Sequence, residues 1–199
     1  IIHGFGNAGK IAAQLLAQRE FTIIGIADSK TALFNKNGLD VTKVSAWKNT
    51  HRSLEGFEEA EHMQPHELLE QPCDILIPAS LGGIINKENM QRIQTQLILE
   101  VANGPLYHEA FAYLKDKVVI LPDVLTNAGG VTVSYFEWSQ NKTGMTWTLK
   151  EVEEKLSHIM KEAVQKVYQH RKRYKVDHKT SAYLVGVSRI AKAIQLREG

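Results

Sequence analysis

Three glycines in the first nine residues constrain this chain more than any later feature. It opens IIHGFGNAG, with Gly4, Gly6 and Gly9 spaced as G-x-G-x-x-G. This run directly follows a β-branched pair and directly precedes the helical pattern of Lys10 to Gln18. In such a turn the first glycine permits backbone angles that other residues resist. The second removes a side chain where a pyrophosphate must approach, and the third lets helix pack close on strand. The N–H groups of Asn7, Ala8 and Gly9 then face a phosphate at the positive end of the helix dipole. An acid is expected about 20 residues further on, where its carboxylate accepts from ribose hydroxyls. Asp28 closes the apolar run Phe21 to Ala27 and stands at that place.

The rest of the first two thirds repeats the same grammar. Ile11, Ala12, Leu15 and Leu16 give the first helix one apolar face, and Phe21 to Ala27 reads as the second strand. Ser29 to Asp40 reads as a loop, after which Val41, Val44 and Trp47 recur at helical spacing behind Asp40 as N-cap. His51 to Glu61 is polar and irregular, and Pro65 opens a short helix through Leu69. Ile75, Leu76 and Ile77 form a continuous apolar run ended by Pro78, as in a strand buried on both faces. A helix at Asn86 to Ile93, a strand at Leu97 to Val101, a helix at His108 to Leu114 and a strand at Val118 to Leu121 follow. Strands alternating with helices predict an α/β fold, a doubly wound parallel sheet of Rossmann type.

Beyond Asn127 the pattern is almost wholly helical. Gly129 to Asn141 is one segment, and Thr148 with Glu151 makes a capping box ahead of a long amphipathic helix. A last helix spans Thr180 to Leu196. The expected organisation is therefore a dinucleotide-binding core over residues 1–126 and a helical extension over 127–199. Only three residues precede the glycine turn, fewer than a strand needs. We therefore expect a fragment cut inside its first strand, with a preceding domain outside it.

Composition narrows the class without naming it. The 199 residues are 43% hydrophobic and 23% charged, with a net charge of +2, too mild to imply a nucleic-acid partner. Cys73 is the single cysteine, so no internal disulfide is expected, and this favours a cytoplasmic protein. No apolar stretch is long enough for a membrane span, and no signal-type leader is present in the sequence given. The basic run Arg171, Lys172, Arg173, Lys175 reads as a solvated helix end whose cations complement the dipole. His62 and His66 have a zinc-compatible spacing, but Pro65 interrupts the helix that such a pair needs, and no metal site is expected. Tyr135, Phe136 and Trp138 read equally as core packing and as the wall of a substrate pocket.

Ligands of open α/β sheets bind beyond the carboxyl ends of the strands. Here those ends are Gly4 to Gly9, Asp28 to Lys30, Ala79 to Gly83, Asn103 to Pro105 and Asp123 to Gly130, each rich in small residues, amides or acids. At these segments the chain resembles the cofactor domain of the glutamate, leucine, phenylalanine and valine dehydrogenases, and glutamate dehydrogenase most of all. The likeness rests on GFGNAGK from Gly4, ADSK from Ala27, NGLD from Asn37, CDILIPAS from Cys73, EVANGP from Glu100 and LPDVLTNAGGVTVSYFEWSQN from Leu121. Thr31 and Ala32 stand where paired glycines are frequent, and Gly82 and Gly83 stand where an acid is frequent.

The resemblance implies that Gly4, Phe5, Gly6, Asn7, Ala8 and Gly9 hold the pyrophosphate of NAD or NADP, with Asp28 and Ser29 at the adenine ribose. Ala79 and Ser80 line the cofactor, and the amides of Asn103 and Asn127 bond around the nicotinamide and its ribose. Val131 and Ser134 face substrate, the serine hydroxyl meeting a side-chain carboxylate. The implied reaction is reversible oxidative deamination of L-glutamate to 2-oxoglutarate and ammonia, in an enzyme that forms a homo-oligomer. Its catalytic lysines and aspartate come from the preceding domain, so no catalytic residue is expected in this chain, and the fragment alone is expected to be inactive. A branched-chain or aromatic amino-acid dehydrogenase and a non-catalytic dinucleotide-binding module are the competing readings. Asp28 opposes a ribose 2′-phosphate, whereas Ser29 and Lys30 favour one, which leaves the choice of cofactor open. The final helix is expected to show an apolar face.

Overall fold

The computed structural model describes residues 1–198. They form two compact units, one over Ile1–Ile120 and one from Leu121 onward. The first contains, in order, β1 (Ile2–His3), α1 (Asn7–Ala17), β2 (Gly25–Ala27), β3 (Ala32–Phe34), α2 (Val41–His51), β4 (Glu61–Met63) and α3 (Pro65–Leu68). β5 (Cys73–Pro78), β6 (Thr95–Leu99), α4 (His108–Leu114) and β7 (Val119–Leu121) follow, the last residue of β7 being the first of the second unit.

The strands line up as β4-β3-β2-β1-β5-β6-β7. β2, β1, β5 and β6 run parallel, as the alternation of strand and helix predicts. Side-chain alternation along them builds a core on each face. Ile2, Ile26, Leu33 and Ile77 point to one face, beneath Ala13 of α1 and Val41 and Val44 of α2. Ile1, Ala27, Ala32 and Leu76 point to the other, beneath Leu68 of α3 and Ala110 and Leu114 of α4. Each fully buried aliphatic side chain in these layers contributes about 2 kcal/mol. The fold is thus an α/β sheet covered by helices on both faces.

Two segments differ from the sequence reading. Residues 29–40 are not simply a loop: β3 returns antiparallel to β2, with Ala27 opposite Ala32, and β4 adds a second antiparallel edge strand. The cause is Asp28. Its Oδ1 accepts from the backbone N–H of Lys30 and Thr31 at 2.9 and 3.0 Å, which closes the tight turn of a hairpin. The parallel sheet therefore carries an antiparallel edge. The expected helix at 86–93 is a series of turns instead. Asn86 receives the Glu88 N–H, and buried Asn89 accepts from Asn86 N–H and donates to the Ile84 carbonyl at 2.7 Å. Side-chain amides that satisfy the backbone locally compete with helix.

The second unit contains α5 (Asp123–Thr126), α6 (Ala128–Thr143), α7 (Leu149–Tyr174) and α8 (His178–Glu198). The capping box forms as expected: Thr148 accepts from Glu151 N–H, and Glu151 accepts from Thr148 N–H. α7 and α8 pack through Val167 and Ala182, pinned by the Ser181 hydroxyl donating to the Val167 carbonyl at 2.6 Å. Arg171, Lys172 and Arg173 of the basic run lie in the last turn of α7 with Lys175 as its C-cap, and Lys172 sits over the Tyr168 ring. Val187, Ile190 and Ile194 of α8 are exposed along one side, the apolar face expected of this helix. No helix among the described residues is long and apolar enough to cross a membrane.

Candidate functional site at the carboxyl edge of the sheet

Because β2, β1, β5 and β6 are parallel and adjacent, the loops at their carboxyl ends emerge along one edge. That edge brings together Gly4 to Gly9, Asp28 and Ser29, Ala79 and Ser80, and Asn103. Short backbone bonds knit it: Gly4 N–H to the Ala27 carbonyl at 3.0 Å, Ala79 N–H to the His3 carbonyl at 2.8 Å, and Ala102 N–H to the Pro78 carbonyl at 2.9 Å.

The three fingerprint glycines do different work. Gly4 has φ +118°, and a Cβ there would lie 2.5 Å from the backbone nitrogen of Ser80. Gly9 lies under the loop, where a Cβ would fall 1.8 Å from the Gly4 carbonyl oxygen. These two are needed for chain packing. Around Gly6 no atom lies within 4 Å of a Cβ position, so that side of the turn is open. Gly6 is also the N-cap of α1, and no side chain caps its first N–H groups. An open face above uncapped N–H donors, with Gly6, Asn7 and Ala8 exposed, fits a phosphate group approaching closely. The Phe5 side chain is buried in the core, which leaves its backbone for any ligand.

At the end of β5, Ser80 is held from below. His3 Nε2 lies 3.1 Å from the Pro65 carbonyl, which only accepts, so Nε2 carries the proton. The neutral ring then accepts from the Ser80 hydroxyl at Nδ1, 2.9 Å away. Burial pushes the His3 pKa down, against the opposing effect of the Pro65 contact, and favours this neutral form. The neighbouring loop is tied to the end of β6: Gly83 N–H donates to the Gly104 carbonyl at 2.9 Å, and a Cβ on Gly82 would lie 3.1 Å from the Asn103 carbonyl oxygen.

Asp28 is engaged more fully than its place in the sequence foretells. Besides the two turn donors on Oδ1, its Oδ2 accepts from Leu54 N–H at 3.0 Å and from Lys48 Nζ. Burial opposes its charge, but Lys48 and the three backbone donors outweigh that and hold its pKa below the usual carboxylate value. Sequence reasoning missed both His3 and Lys48. The signal for His3 was a polar residue inside an apolar strand; Lys48, twenty residues from Asp28 and on a solvent-polar helix, gave none.

Asn127 ends α5 and precedes α6 in the second unit, whose helices also carry Val131 and Ser134, both exposed. Phe136 is buried and meets Trp147 edge-on, whereas Tyr135 and Trp138 stack on each other in the open. The aromatic run therefore divides, one ring in the core and two on the surface. His62 bonds to the Phe57 carbonyl at 2.8 Å and to Thr31. No group of three or more metal-ligating side chains occurs among the described residues.

A sequence profile of the Glutamate/Leucine/Phenylalanine/Valine dehydrogenase family matches residues 1–198. The chain belongs to that family. Solved structures agree with this membership. A hetero-hexameric glutamate dehydrogenase from Thermus thermophilus in a leucine-bound form matches 98% of this chain at 27% identity and a TM-score of 0.90. The glutamate dehydrogenase of Peptoniphilus asaccharolyticus matches 98% at 31% identity and 0.81, and glutamate dehydrogenase 2 of Plasmodium falciparum 98% at 26% and 0.85. The chain covers 46%, 45% and 46% of these family members respectively, under half their length.

Proposed function

We propose that this chain is the NAD(P)-binding part of a glutamate dehydrogenase. The observation that carries the proposal is the open face at Gly6, set on uncapped N–H donors at the same sheet edge as Ser80 and Asn103. In this reading the N–H groups of Asn7, Ala8 and Gly9 hold the pyrophosphate through the positive end of α1. Gly4, Phe5 and Gly6 shape the loop beneath it, and Ser29 stands at the adenine ribose. Ala79 and Ser80 border the cofactor, with Ser80 held in one orientation by His3. The amides of Asn103 and Asn127 bond at the nicotinamide end without adding charge. A bound nicotinamide supplies the hydride acceptor and donor for oxidation of an amino acid at its α-carbon. Val131 and Ser134 face the substrate, and the Ser134 hydroxyl meets the side-chain carboxylate of L-glutamate, a contact that a purely apolar pocket for leucine would lack.

Catalytic lysines and an aspartate belong, in this reading, to a preceding domain, and the intact enzyme is an oligomer. The test is titration of the 199-residue chain with oxidised NAD and NADP, followed by amide chemical shifts. Shifts centred on Gly6, Asn7, Ala8 and Gly9, with no glutamate-dependent reduction of cofactor by the chain alone, are the expected result. Binding of neither dinucleotide overturns the proposal.

A further inference from the structure

We infer that the subsite beyond β2 accepts a ribose carrying a 2′-phosphate, and that Lys48 is the residue that decides this. The inference rests on the dinucleotide-binding reading and extends it to the choice of cofactor. A carboxylate that recognises an unmodified ribose must offer free acceptor positions to two hydroxyls, and its charge must repel a phosphate in the same place. Asp28 does neither. A carboxylate has about four acceptor positions, and those of Asp28 are met by Lys30 N–H, Thr31 N–H, Leu54 N–H and Lys48 Nζ. Its side chain is 5% exposed. The acid is thus a brace for the β2–β3 turn and the segment after α2.

The charge balance points the same way. Lys48 pairs with Asp28, and Lys30 pairs with Glu55 at 3.2 Å, so these four groups sum to zero. What remains on the open side is favourable to an anion. Ser29 is exposed, and Lys30 holds Glu55 only through a solvent-screened contact, both side chains being more than half exposed. Such a pair exchanges readily for a phosphate oxygen. Lys10 Nζ donates to Asn49 Oδ1 at 3.0 Å, which ties the end of α2 bearing Lys48 to the first turns of α1 and the glycine loop. The Asp28 brace and the pyrophosphate loop therefore belong to one continuous surface.

The probes are 2′,5′-ADP and 5′-AMP, titrated into the 199-residue chain. Tighter binding of 2′,5′-ADP by about tenfold is expected, from the charge-assisted contacts that the extra phosphate gains. Lys30→Ala, on an exposed side chain, narrows that ratio several-fold and leaves 5′-AMP unchanged. Lys48→Gln narrows it as well, by uncovering the Asp28 charge. Equal binding of the two probes, or preference for 5′-AMP, overturns the inference and leaves the dinucleotide-binding reading standing. A ratio unmoved by Lys48→Gln or by Lys30→Ala also overturns it. Binding of neither probe and of neither dinucleotide removes the underlying reading itself.

Discussion

The His3 ring sits between the Pro65 carbonyl and the Ser80 hydroxyl, at 3.1 and 2.9 Å, and so ties the fingerprint strand to the end of β5 through one neutral imidazole. Its ordinary pKa of 6.5 is lowered chiefly by burial. The unfolded chain thus takes up a proton before the folded chain does. Stability is then independent of this group at neutral pH, falls as pH drops through about 6.5, and levels off below the folded value, with a slope of at most about 1.4 kcal/mol per pH unit. Burial, with Arg171 next, lowers His178 too, so the two histidines act in the same direction. Thermal melts between pH 7.5 and pH 5 should show the decline, and His3→Gln should reduce its slope. An unchanged slope in that variant removes His3 as a source of the effect.

Substituting the three glycines separates packing from binding. Gly4→Ala and Gly9→Ala each place a methyl group within 2.5 Å of backbone, and Gly4 also has a positive φ. Both should destabilise by about 2–4 kcal/mol. Gly6→Ala meets open space and should cost only the loss of a glycine N-cap, about 1 kcal/mol or less. If Gly6 faces a pyrophosphate, the same variant should weaken dinucleotide binding by about tenfold, through steric displacement of the phosphate. Denaturant melts paired with titration distinguish the two effects.

Lys48→Met leaves the buried Asp28 with three backbone donors and no countercharge. The cost should be about 3 kcal/mol, the low end for losing one partner of a buried pair. Because the Asp28 pKa is held below its ordinary 3.8, its stabilisation is present above that pH and lost as pH falls through the folded value. The variant should therefore lose less stability than the parent as pH falls through this range, so that the two converge in acid. Adding Asp28→Asn should recover part of the loss, and a double-mutant cycle measures how much.

In the second unit, Thr148 accepts from the Glu151 N–H at 3.3 Å and Glu151 accepts from the Thr148 N–H at 2.7 Å. Thr148→Ala should cost about 1 kcal/mol. Faster amide exchange confined to the first turn of α7 is the expected signature, and uniform acceleration along α7 would count against a local cap.

The local elements were set by local sequence. Gly4, Gly6 and Gly9 specify a strand-to-helix turn because few other residues fit its backbone, and Asp40, Thr148 and Glu151 mark helix starts because their side chains replace missing intrahelical partners. The apolar run at Ile75 to Ile77 specifies a strand covered on both faces. Hydrophobic period could not reveal what Asp28 does, because its partners come from Lys30, Thr31, Lys48 and Leu54, and only folding decides which donors reach one carboxylate. The antiparallel β3 and β4 were hidden for the same reason: three-residue strands carry too little periodicity to be read, and their pairing is fixed by the turn that Asp28 closes. The sequence alone determined which loops have the small residues that permit close backbone approach. Tertiary structure decided which charges in those loops remain available to a ligand, because a charge is consumed or left free by neighbours brought together from distant parts of the chain.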